Sequence, residues 1–201
     1  MEKPQLRHIL TEAGADLVGF STCKEYFSEY TSAVTVGVSA LKIYRLHRPD
    51  TLQALNEFMD FVNLKARQIL SEEGYGSWGA LFSQEESSRF QYVPHRELAV
   101  KAGLGVIGKN FLLITPQFGP RVQFTTILTT MPLLPDSPLD FNPCKSCNRC
   151  VEECPTSALK DYFHEEVCIK CYRCVLTCPV GRDFYEIQQY SSEEPSIWST
   201  L

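Results

Sequence analysis

The chain has 201 residues, 44% of them hydrophobic and 21% charged, with a formal net charge of −5. This length and composition suit one compact domain with a small appended module, and the acidic balance excludes a basic nucleic-acid-binding face as its main feature. No run approaches the ~20 apolar residues of a membrane span, and Met1–Leu10 has no signal-like apolar stretch, so neither membrane nor nucleic acid is the expected partner and cytoplasm is the expected compartment.

Along the chain, Leu6, Ile9, Leu10 and Ala13 recur at helical spacing and predict a helix over 4–13. Residues 15–21 (ADLVGFS) read as a short strand, and 33–41 alternate Val34, Val36, Val38 and Ala40 as a second. Residues 51–72 predict a long helix with Leu52, Leu55, Met59, Val62, Ala66 and Ile69 on its buried stripe. The polar, glycine-bearing stretch from Tyr75 to Pro94 has no clear period. A helix from His95 to Ala102 follows, then the loop AGLGVIGKN (102–110), then two strands, 111–115 and 121–130, joined by a PQFGP turn. Pro132, Pro135, Pro138 and Pro143 mark 131–143 as a stiff linker. The expected organisation is an α+β domain over 1–130, the linker, and a metal-binding module over 144–201.

Nine cysteines are present, and eight lie between Cys144 and Cys178; Cys23 stands alone and reads as a buried thiol. A disulfide scaffold would spread its bridges through the fold. Instead the block contains Cys144-x2-Cys147-x2-Cys150-x3-Cys154-Pro155 and then Cys168-x2-Cys171-x2-Cys174-x3-Cys178-Pro179. This is the bacterial two-cluster ferredoxin spacing. Three closely spaced thiolates wrap three corners of a cuboidal cluster, and the fourth corner is reached from the other run. The expected sets are therefore Cys144, Cys147, Cys150 and Cys178 for one [4Fe–4S] cluster, and Cys168, Cys171, Cys174 and Cys154 for the other. Structural zinc takes two separated Cys-x2-Cys pairs, which this pattern is not. Lys145, Arg149, Lys170 and Arg173 lie within the block, where they offset the clusters' negative charge or are simply solvated.

Gly103, Gly105 and Gly108 form a G-x-G-x-x-G, but they follow a helix and precede a strand, the reverse of a dinucleotide site. Read on their own, they are either a helix stop and turn or a place where backbone approaches a flat cofactor.

The stretch from His95 through AGLGVIGKN and PQFG to Asp136, with PCKSCNRCVEECPTSAL after it, resembles the epoxyqueuosine reductase family, itself similar to the catalytic core of corrinoid reductive dehalogenases. AGADLVGFST near the N-terminus is similar too. The resemblance implies a nitroreductase-like α+β cobalamin domain carrying a two-cluster ferredoxin-like module. It implies a reductase fed single electrons by a ferredoxin, flavodoxin or reductase, and handled anaerobically, with a corrinoid protein as a further partner. The alternatives are a ferredoxin-type carrier whose N-terminal domain docks a partner, and a reductase with FMN.

Under the resemblance Gly103, Gly105, Gly108, Lys109 and Asn110 would contact the cofactor; turn chemistry is the other reading of Lys109 and Asn110. His95 reads as a cobalt ligand or proton donor, or as a helix-start residue, with Arg96 beside it. Tyr92 is a weak proton-donor candidate. Tyr75, Trp78, Phe82 and Phe90 line a pocket or pack a core. The family's proposed proton-donating aspartate falls near Arg89 here, and no Asp lies between Asp60 and Pro120. The family's tRNA-handling helical-repeat extension does not follow the second cysteine run. Reduction of epoxyqueuosine itself is therefore not expected.

Overall fold

The computed structural model describes residues 1–40, 51–82 and 93–181, with Thr51 and Leu52 described in backbone only. The chain forms two compact units. One comprises Met1–Leu104 and Val122–Leu139, the other Gly105–Arg121 and Asp140–Leu201. The division differs from a linear cut at the prolines, because the segment carrying Gly105, Gly108, Lys109 and Asn110 groups with the cysteine block.

The first unit is built on an antiparallel sheet of β1 (Leu17–Thr22), β2 (Ser32–Ser39), β3 (Ser77–Gly79) and β6 (Val122–Thr129), in the order β1-β2-β6-β3. Residues alternate across a strand, so each face has its own set. Phe20 stands opposite Val34 and Val34 opposite Ile127; these pack with Leu6 and Leu10 of α1 (Lys3–Glu12) and with Val62, Ala66 and Leu70 of α2 (Thr51–Glu72). Ala33 and Leu128, also opposite one another, face the other way and pack with Cys23, Val93 and Leu98, the last on α3 (His95–Lys101). Each fully buried Leu, Phe or Val contributes about 1.5–3 kcal/mol. Of the predicted stripe on α2, Leu55, Met59, Val62, Ala66 and Ile69 are buried; the side chain of Leu52 lies outside the described residues. Strand β3 sits in the stretch that showed no period, because three residues are too short to display one.

Residues 131–139 are packed against the first unit rather than free, which corrects the reading of this segment as a spacer. Met131 and Leu133 are buried. The Phe20 N–H donates to Asp136 Oδ2 at 2.9 Å, the Asp136 N–H donates back to Phe20 O at 2.8 Å, and Lys3 and Arg7 each reach the carboxylate at 2.7 Å. Burial works against ionisation of Asp136, but these partners outweigh it and hold its pKa below the usual value.

In the second unit, β4 (Val106–Ile107) and β5 (Leu113–Ile114) form a small hairpin. The predicted strand over 111–115 is cut short because Phe111 is left-handed, at φ 59°. The PQFGP turn closes through reciprocal backbone hydrogen bonds between Thr115 and Gly119. Gly119 (φ 58°) and Gly181 (φ 73°) then lie flush. A Cβ on Gly119 would stand 2.2 Å from Val180 O, and one on Gly181 would stand 2.5 Å from Gly119 N. Only glycine fits where backbone meets backbone at this distance. The cysteine block has little regular structure beyond α4 (Arg149–Glu152), a 3₁₀ turn (Glu165–Val167) and α5 (Arg173–Leu176).

Candidate metal centre

Each short helix carries the third cysteine of its run in its first turn, Cys150 on α4 and Cys174 on α5. The fold repeats the sequence repeat: a loop bearing two cysteines, a helical turn bearing the third, and a fourth cysteine before a proline. All eight cysteines are free thiols, seven half-buried and Cys178 buried.

The structure brings Cys178 to the opposite run. Cys144, Cys147, Cys150 and Cys178 line one open cavity, with Asn110 and Ile114 on its wall. Burial raises the pKa of Cys150 first, and the neighbouring Cys144, Cys178 and Cys147 raise it further. Cys178 is raised chiefly by burial; the Val180 N–H and the Arg121 guanidinium pull the other way, and Cys144 and Cys147 add a smaller upward push. Burial, then Cys150, Cys171 and Cys168, push Cys174 up to about 11. Four thiolates that repel one another in one cavity are stabilised by cationic iron, and metal binding releases their protons. Among the described residues no three His, Cys, Asp or Glu side chains converge as around a single metal ion. A cubane needs its thiolates at separate corners, and the doubled three-plus-one spacing of the cysteines fits that need.

Cys154 is held differently. Burial opposes its ionisation, but N–H groups of Thr156, Ala158 and Leu159 and the Thr156 hydroxyl lower its pKa. Ser157, left-handed at φ 56°, turns the chain so that these donors gather. Lys170 and Tyr172, on either side of Cys171, are left-handed as well, at φ 52° and 55°. Such conformations cost about 1–3 kcal/mol each in non-glycine residues and aim successive N–H groups into a concavity that suits an anion. An oxidised cluster with four thiolates carries roughly −2, so such a concavity suits it.

The glycine loop serves this unit. Lys109 Nζ donates to Asn148 Oδ1 at 2.7 Å, beside Cys147. Asn110 is buried; its Oδ1 accepts from Leu112 N at 3.2 Å and its Nδ2 donates to Cys174 O at 3.5 Å. A Cβ on Gly105 would meet Ile114 O at 2.5 Å, and one on Gly108 would meet the Ile114 side chain at 2.6 Å. Gly103, at φ 67° after α3 in the first unit, would meet Ser137 O at 2.2 Å. The space freed by each glycine is filled by the chain itself. Internal packing by itself accounts for glycine at these three positions.

In the first unit, His95 starts α3, and its Nδ1 is buried without a hydrogen-bond partner among the described residues. Burial lowers its pKa to about 4. Arg96 is exposed. Trp78 packs with Cys23 and Leu128, and burial pushes the Cys23 thiol up to about 11, an inert thiol. Tyr75 packs against the core under α1 and α2, and Phe82 is exposed. Tyr92, Phe90 and Arg89 lie outside the described residues. Arg121 was missed by sequence reasoning, since nothing distinguishes a buried arginine after a turn from an exposed one.

Residues 138–160 and 165–181 each match a 4Fe-4S binding domain. The chain is 46% identical over 66 residues to tetrachloroethene reductive dehalogenase from Sulfurospirillum multivorans, and 47% identical over 62 residues to epoxyqueuosine reductase from Listeria monocytogenes. Each match covers 31% of this chain, but only 13% and 16% of those proteins, far below two thirds of their length. Among solved structures, epoxyqueuosine reductase from Streptococcus thermophilus superposes with a TM-score of 0.66 at 17% identity, over 90% of this chain and 66% of that one. A catabolic reductive dehalogenase superposes with a TM-score of 0.70 at 19% identity, over 88% of this chain and 31% of that one. The chain is thus similar to epoxyqueuosine reductases and reductive dehalogenases over about a third of its length, shares their mixed helix-and-sheet fold, and matches two 4Fe-4S binding domains.

Proposed function

We propose that this chain is an iron–sulfur oxidoreductase that passes single electrons to a corrinoid, as a cobalamin-dependent or corrinoid-processing reductase. The observation that carries the electron-transfer part is the gathering of Cys178 with Cys144, Cys147 and Cys150 around one cavity. On this reading those four hold one [4Fe–4S] cluster. Cys168, Cys171 and Cys174 hold the second, and Cys154 joins them by the symmetry of the repeat. When bound, the clusters supply one-electron chemistry. The chain's own part is to exclude water with Ile114 and Pro143, to aim N–H groups at the Cys154 sulfur, and to hold the ligand loops in register.

The corrinoid is supported by relatives, among them a dehalogenase structure described as suggesting a mechanism for B12-dependent dehalogenation. A nitroreductase-like architecture for the first unit belongs to the same reading. Internal packing accounts for Gly103, Gly105 and Gly108, and the corrinoid reading does not rest on them. The test is anaerobic titration of the cluster-loaded full chain with hydroxocobalamin and, separately, FMN. Binding of hydroxocobalamin at micromolar Kd supports the proposal. Binding of FMN alone favours a flavin reductase, and binding of neither favours an electron carrier whose first unit docks a partner. Glycine-to-valine variants at Gly105 or Gly108 are poor probes, since a larger side chain there collides with Ile114 whatever is bound.

A further inference from the structure

Both cysteines that precede proline have a backbone N–H two residues on as a partner, Thr156 for Cys154 and Val180 for Cys178, but they differ in what else holds them. Cys154 takes its hydrogen bonds from its own turn, through Thr156, Ala158 and Leu159. Cys178 is held in addition through its carbonyl by a residue 57 positions away. Arg121, only 5% exposed, donates from Nη2 to Cys178 O at 2.5 Å and from Nη1 to Val180 O at 2.8 Å and Phe118 O at 3.3 Å. One guanidinium therefore ties the PQFGP turn to the chain on both sides of Pro179. The glycine pair Gly119 and Gly181 lets the two backbones close on each other beneath it.

We propose that Arg121 is the positioning residue of the cluster held by Cys144, Cys147, Cys150 and Cys178, and that its buried positive charge raises that cluster's reduction potential. The inference rests on the cluster assignment above. Guanidinium stays protonated at every working pH, and its planar fork can serve several carbonyls at once, which an ammonium cannot do in the same geometry. Reduction adds one electron to a cluster that is already anionic. A cation held beside its ligand stabilises the reduced form more than the oxidised one, and burial weakens the screening of that interaction. Charge and hydrogen bonding next to the ligands are established levers on cluster potential. The hydrogen bonds that lower the pKa of Cys154 come from neutral donors, the N–H groups of Thr156, Ala158 and Leu159 and the Thr156 hydroxyl.

The test is a redox titration by dithionite, followed by EPR, on the full cluster-loaded chain. Wild type, Arg121→Gln and Arg121→Lys are compared, with iron counted in each. Wild type is expected to bind eight irons and show two one-electron transitions. Arg121→Gln should lower one potential by at least ~59 mV, a tenfold change in the reduction equilibrium, and leave the other in place. Arg121→Lys should stay closer to wild type in potential while losing iron faster to a chelator, because it keeps the charge and loses the fork. If Arg121→Gln fails to retain eight irons, it should lose the same EPR signal that Cys178→Ala loses. The inference is overturned if Arg121→Gln keeps eight irons with both potentials unmoved, if both potentials shift alike, if Lys shifts as far as Gln, or if iron is lost from both sites together. A wild type without two reducible clusters would overturn the cluster assignment itself, and this inference with it.

Discussion

Replacing Gly119 by alanine tests whether the PQFGP turn is part of the metal centre. At φ 58° an alanine is strained by about 1–2 kcal/mol. Its Cβ would also stand 2.2 Å from Val180 O, a backbone atom that cannot rotate away. Forcing such a shift costs about 1–3 kcal/mol more. The sum, roughly 2–5 kcal/mol, falls on local opening of the chain that follows Cys178 rather than on the whole fold. At ~1.4 kcal/mol per factor of ten, opening becomes at least about twentyfold more frequent. Gly74 supplies the control, since it has φ 81° but a Cβ there meets nothing within 4 Å, and it lies in the first unit. Iron release to an excess chelator, followed by absorbance under argon, reads the difference. Gly119→Ala should lose half of its iron much faster than wild type, and Gly74→Ala should release iron at the wild-type rate. Equal rates for Gly119→Ala and wild type would refute the link between this turn and Cys178.

Asp136→Ala removes a charged hydrogen bond from Phe20 N–H and two partly exposed ion pairs, and should destabilise the first unit by about 2–4 kcal/mol; Asp136→Asn should lose less, and urea denaturation of the two variants separates them. Burial keeps His95 neutral down to about pH 4, whereas the unfolded chain protonates it near pH 6.5. Its contribution is therefore complete above pH 6.5 and declines as pH falls, by about 2 kcal/mol between pH 7.5 and 5. His95→Phe should flatten that part of the pH profile, and an unchanged slope would contradict the burial argument. Cys154→Ala should abolish the EPR signal of the cluster held by Cys168, Cys171 and Cys174, and loss confined to the Cys144 set would reverse the ligand assignment.

The legible parts of this protein were those with a period or a spacing. The stripe on α2 and the alternation of β2 follow from burial on one face, so the helix was predicted at 51–72 and lies at Thr51–Glu72. The double cysteine run is legible because a cluster dictates the separation of its ligands. What escaped was tertiary. Asp136 looks like a linker acid until Lys3, Arg7 and the Phe20 N–H converge on it from residues far away in sequence. Gly103, Gly105 and Gly108 print the same letters whether the space beside them holds a ligand or, as here, Ser137 and Ile114. The membership of Gly105–Arg121 in the cysteine-bearing unit follows from long-range contacts of Lys109, Asn110 and Arg121, which no local pattern announces.

On the proposed reading, the eight clustered cysteines bind two [4Fe–4S] clusters. Iron and acid-labile sulfide determined on anaerobically reconstituted full chain test it most directly. Eight irons and eight sulfides per chain, with broad visible absorption bleached by dithionite, are the predicted result. A chain that is saturated by one or two zinc ions and shows no visible absorption would contradict it.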